Sequence, residues 1–125
     1  MTRRAALALA LSVLGGSWPL LAGCGVGGSS GTVHSVTVTG TEMRFTPTEL
    51  TLAPGRYRFH FVNGGTVVHS LGIYHDGTPS SAGEAEPGKS VDLGVVTLKD
   101  GNYTMQCNEP GHLAAGMRGT IKVTK

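Results

Sequence analysis

Between the turn signals Pro54-Gly55 and Asn63-Gly64-Gly65, the side chains Tyr57, Phe59 and Phe61 alternate with Arg56, Arg58 and His60. An extended chain sends such residues to opposite faces, whereas a helix would mix them, so this segment is a half-buried strand. No window of the folded region carries a competing apolar period of 3.6 residues. Val36 and Val38 alternate with threonines across 32–39, and 66–74 is a second β-rich run. His75-Asp76-Gly77 then opens what reads as a polar loop as far as Lys89. Further short strands are expected at 49–52, 90–93, 95–98, 103–107 and 120–124, with Asp100-Gly101 as a turn between two of them. Seven or eight short strands with regular turns specify an all-β fold, an antiparallel β-sandwich.

Composition agrees. Gly and Pro number 20 and 6 in 125 residues, and charged residues make up only 14%. These figures exclude a coiled coil, a helical bundle and a multidomain enzyme. Ten basic residues against eight acidic ones provide no basic stripe, so nucleic acid is not an expected partner.

The N-terminus reads as an address. Arg3 and Arg4 precede an apolar run over 5–14, followed by Leu21-Ala22-Gly23-Cys24. A basic start, a short apolar core and small residues before a cleavage point make an export signal, and the run is too short to span a bilayer. The tetrapeptide resembles the lipobox of bacterial lipoproteins. That resemblance implies cleavage before Cys24, a diacylglycerol on its sulfur and attachment to a membrane of the bacterial cell envelope. The chain then divides into a signal at 1–23, a lipidated Cys24 with a flexible Gly/Ser linker at 24–31, and a folded domain at 32–125. Loss of Arg3 and Arg4 leaves that remainder with balanced charge.

With Cys24 so used, Cys107 is the other cysteine of the chain, in an oxidising location where an idle thiol is a liability. It opens the stretch Cys107-Asn108-Glu109-Pro110-Gly111-His112-Leu113-Ala114-Ala115-Gly116-Met117. Pro110, Gly111 and Gly116 make this a loop that turns back on itself between the last two strands. A thiolate, an imidazole and a thioether on one loop suit copper, whose trigonal blue site takes a soft thiolate, two imidazoles and a weak axial thioether. The best second imidazole is His69, in a β-rich run that can meet the loop across a sandwich. Each residue alone has a plainer reading: Cys107 and Met117 as core filler, His112 as a loop residue, His69 as a strand residue bonded to a carbonyl. Their joint order carries the metal reading. His34, His60 and His75 lack partners and read as surface residues, Met105 as core, and Met43 as an axial rival only if Met117 turns away. Zinc sites favour paired cysteines and gain little from a thioether.

The pattern Cys-x4-His-x4-Met around Pro110-Gly111-His112 resembles the cupredoxins, most of all their rusticyanin-like and sulfocyanin-like branch. Phe45-Thr46-Pro47, Pro54-Gly55, Phe61-Val62-Asn63 and His69-Ser70 extend the resemblance over most of the domain. It implies a Greek-key sandwich in which Cys107, His69 and His112 hold one copper equatorially and Met117 holds it axially. It also implies that Ser70, and Asn108 beside the thiolate, tune the centre, and that the edge of His112 passes electrons to a partner. Leu113, Ala114 and Ala115 would then form an apolar docking patch.

Four protein ligands leave no open position for substrate, and no Ser-His-Asp set, carboxylate pair or phosphate loop occurs elsewhere. The expectation is therefore a non-enzymatic one-electron carrier, a monomer cycling copper between the cuprous and cupric states and docking briefly with redox proteins. A copper chaperone or store of the cell envelope, and a metal-free adhesion-type sandwich, are the alternatives that this reading competes with.

Overall fold

The computed structural model describes residues 31–125. The signal read at 1–23, Cys24 and the linker up to residue 30 lie outside the described residues. Nine strands occur in the described residues: β1 (Val33–Thr41), β2 (Arg44–Thr46), β3 (Glu49–Leu52), β4 (Gly55–Asn63), β5 (His69–His75), β6 (Thr78–Ala85), β7 (Ser90–Leu98), β8 (Gly101–Gln106) and β9 (Arg118–Val123). They form a sheet ordered β2-β1-β4-β7 and a second ordered β3-β9-β8-β5-β6, stacked as a sandwich.

The alternation in β4 is realised as expected. Tyr57, Phe59 and Phe61 are buried, and Arg58 is exposed opposite Asp92. Beside it β1 runs parallel, with Val36↔Phe59 and Val38↔Phe61 in register, so valines and aromatics form one inward face. From the other sheet Leu71, Ile73, Met105 and Ile121 meet that face and are fully buried.

Nine strands exceed the seven or eight expected, and three differences account for it. The stretch after His75 is not a loop: Asp76 (φ 47) and Gly77 (φ 76) form a two-residue turn into β6. Both central residues at positive φ make the tight hairpin turn that Asp-Gly favours. β6 escapes an apolar pattern because it is an edge strand, exposed along most of its length and tolerant of Pro79 at an irregularity of the pairing. The pieces at 90–93 and 95–98 are one strand, β7, whose register against β4 shifts near Gly94 (φ 80). β2 is a three-residue strand too short for any period to reveal. Two of the pairings, β1 with β4 and β3 with β9, are parallel; the others are antiparallel.

This topology brings the start of β5, the end of β8 and the start of β9 to one pole. β5 and β8 pair as far as Gly72↔Gln106, and continuing that register sets Ser70 opposite Asn108. His69 and Cys107 therefore arrive side by side at the rim.

Candidate metal centre

The loop from Cys107 to Met117 is closed at its base by its own backbone. The Cys107 N–H donates to the Met117 carbonyl at 3.1 Å, and the Met117 N–H donates to the His112 carbonyl at 3.0 Å. Within it, the His112 N–H reaches the Glu109 carbonyl at 3.1 Å and the Ala115 N–H reaches the Gly111 carbonyl at 3.0 Å. Gly111 (φ 81) and Gly116 (φ 99) supply the left-handed turns that fold it back, a conformation L side chains rarely adopt.

His69, Cys107 and His112 converge, their donor atoms all within 4.8 Å of one another. His69 Nδ1 lies 3.2 Å from His112 Nδ1, which lies 3.4 Å from Cys107 Sγ. Donors about 2.0–2.3 Å from one ion in a trigonal plane stand about 3.5–3.8 Å apart, so the set is slightly contracted but shaped for a shared ion. His69 and Cys107 are buried, and His112 is half-exposed, reaching the surface. Burial first, and then the neighbouring His112, push the His69 imidazole below its ordinary value, which keeps it neutral and available as a donor. One soft sulfur with two imidazole nitrogens is the donor set of copper rather than of a structural zinc tetrahedron.

The model of the plastocyanin/azurin family of copper-binding proteins matches residues 32–124. The chain belongs to that family. A search of curated proteins by sequence gave no significant match. Among solved structures, auracyanin from Roseiflexus castenholzii is similar with a TM-score of 0.65 at 20% identity, over 73% of this chain and 97% of that one. Reduced rusticyanin is similar at 0.59 and 21%, over 72% of this chain and 79% of its own. A multicopper oxidase is similar at 0.57 and 21%, over 73% of this chain but 42% of the oxidase. At these identities the likeness concerns the fold.

Around the three donors of this cupredoxin, the Ser70 N–H points at Cys107 Sγ at 3.4 Å, and the Ser70 hydroxyl lies 3.7 Å from the same sulfur. That hydroxyl accepts the Asn108 N–H at 2.8 Å. The Asn108 side-chain carbonyl accepts from the Tyr74 hydroxyl at 2.9 Å and from Gln106 Nε2 at 3.2 Å. Tyr74 can lie across its strand because Gly72 offers no side chain to block it. Met117 is fully buried, its methyl near Gly40 on β1. Leu113, Ala114 and Ala115 are exposed on the turn beside His112.

The remaining candidates fall elsewhere. His34 is exposed against Tyr57. His60 and His75 are half-buried rather than fully on the surface, His75 lying over Tyr103 with ring centroids 4.4 Å apart. Met105 is a core residue, and Met43 packs partly buried in the β1–β2 turn. Two contributors had no sequence signal. Asn63 read as a turn residue, yet it is fully buried: its amide donates to the carbonyls of Val67 and Ala85, each at 2.8 Å, and its side-chain oxygen accepts the Gly65 N–H at 2.8 Å. Glu42 belongs to no motif, yet its Oε1 accepts from both the N–H and the hydroxyl of Thr66, three residues before His69.

Proposed function

We propose that this domain is a one-electron carrier in which His69, Cys107 and His112, with Met117 as a further donor, would hold a single copper ion. Bound copper supplies the electron by cycling between the cuprous and cupric states. The protein's part is to keep the donors still. His69 sits at the first residue of β5, Cys107 directly follows β8, and Met117 directly precedes β9, so sheet hydrogen bonds restrain all three. A donor set that cannot rearrange lowers the reorganisation that accompanies each change of charge. The convergence of one thiolate and two imidazole nitrogens within 4.8 Å carries this reading.

His112 is the donor that reaches solvent, so its edge is the exit for the electron. Leu113, Ala114 and Ala115 beside it offer a small apolar surface for brief encounters with redox proteins. With Met117 as a fourth protein donor, the centre would offer no open position to a substrate, which supports a carrier over an enzyme. The signal and lipobox motif support export and a lipid tether at Cys24, with a monomeric domain held by its linker at the surface of the envelope membrane.

Copper loading of the exported domain tests the centre. The expected result is an intense visible absorption, a copper hyperfine pattern typical of a thiolate-bound cupric ion, and reversible one-electron cycling. Cys107→Ser should abolish the colour. Loading without colour, or cuprous transfer to an acceptor without reversible cycling, would favour a chaperone or store. Replacing Cys24 by Ser should release the domain from membranes; unchanged membrane attachment would refute the tether.

A further inference from the structure

The ring nitrogen of His69 that faces away from the centre has an unmet need. For Nδ1 to offer a lone pair, the proton of the neutral ring must sit on Nε2. That Nε2 is buried and has no hydrogen-bond partner among the described residues. A buried N–H without an acceptor is costly, so this group demands a partner.

Gly65 indicates where the partner is. A Cβ built on Gly65 would stand 2.9 Å from His69 Nε2 and also 2.9 Å from Glu42 Oε1. The backbone of Gly65 is not left-handed, so the residue is glycine for room rather than for conformation. The two polar atoms are therefore no more than about twice that distance apart, with no direct bond between them. Nor is the carboxylate loosely placed: the N–H and hydroxyl of Thr66 fix Oε1, and a carboxylate has further acceptor sites to offer.

We propose that Glu42 is a positioning residue of the metal centre, its carboxylate facing the His69 Nε2–H across the space that Gly65 leaves free of a side chain. This rests on the reading of His69 as a copper ligand. The arrangement fixes the tautomer and ring orientation of His69 and makes its Nδ1 a stronger donor, as carboxylates behind metal-bound histidines do. A fixed negative charge at this place favours the more highly charged cupric state, so Glu42 holds the potential down.

Glu42→Gln tests the assignment, because the amide oxygen can still accept from Thr66 while the charge is gone. Cupric affinity should fall about tenfold with cuprous affinity unchanged, which raises the one-electron potential by about 59 mV. In the metal-free and the diamagnetic cuprous protein, the His69 Nε2–H proton resonance should move upfield and exchange faster with solvent. Asp76→Asn, at the far end of β5, should leave potential and resonance unchanged, which sets aside a general charge effect. An unaltered potential together with an unaltered Nε2–H resonance in Glu42→Gln would overturn the proposal. Absence of a blue centre in the unsubstituted domain would instead overturn the copper reading, with the metal-free resonance still reporting whether Glu42 and His69 are coupled.

Discussion

The Ser70 hydroxyl accepts the Asn108 N–H at 2.8 Å while standing 3.7 Å from Cys107 Sγ, so it ties the chain beyond the thiolate to the strand that carries His69. Ser70→Ala removes that acceptor and one weak donor toward sulfur, but keeps the Ser70 N–H at 3.4 Å. A net hydrogen bond is worth about 0.5–1.5 kcal/mol, so urea unfolding of the metal-free domain should show a loss of about that size. Less donation to the sulfur leaves it richer in electrons and favours the cupric state, so the potential should fall by about 20–40 mV. A potential and a stability both unchanged would refute this role for the hydroxyl. Gly40 makes a second residue-scale case. A Cβ there would lie 2.8 Å from the Phe61 ring and 3.1 Å from the Met117 methyl. Gly40→Ala should cost about 1–3 kcal/mol through overpacking, read as a lower unfolding midpoint. If Met117 is the axial ligand, the same variant should also alter the visible spectrum of the copper-loaded domain.

The loop between β4 and β5 decides where His69 lands, and Asn63 holds that loop by three side-chain hydrogen bonds to Val67, Ala85 and Gly65. Asn63→Ala removes three hydrogen bonds of a fully buried side chain and should cost about 2–4 kcal/mol, checked by denaturant unfolding. Copper affinity should fall with it, because the free energy that presets His69 is partly spent by this side chain. Full affinity in a destabilised variant would show that His69 is placed without Asn63. At this scale the sequence was legible wherever burial is one-sided. β4 declared itself because Tyr57, Phe59 and Phe61 face a core, and β3 was recovered with its observed bounds. β6 was hidden because an exposed edge strand of small polar residues has no inward face to betray it. The three donors were legible because metal chemistry restricts residue types strongly. Asn63 and Glu42 were not, because their roles depend on partners distant in sequence: Ala85 for one, Thr66 and the gap at Gly65 for the other.

For the molecule as a whole, the resolved titration shifts push in one direction. Burial, then the neighbouring His112, set the His69 pKa below its usual 6.5. Hydrogen bonds from Thr66 lower that of Glu42, and the Gly94 N–H followed by Arg58 lowers that of Asp92. In each case the unfolded chain takes up a proton at a pH where the folded one does not, so acid favours unfolding. The His69 contribution is complete above about pH 6.5 and is lost as pH falls below it; the two carboxylates add a second decline below about pH 4. Both carboxylates are solvent-exposed, which leaves the first step to the histidine. The metal-free domain should therefore lose stability between pH 7 and 5, measured as a falling urea midpoint, and His69→Gln should flatten that slope. Saturating copper should raise stability throughout by mass action, and its advantage should shrink in acid as protons compete for the same imidazoles. A metal-free domain whose midpoint is level or rising from pH 7 to 5 would mean that the fold does not hold His69 below its ordinary value.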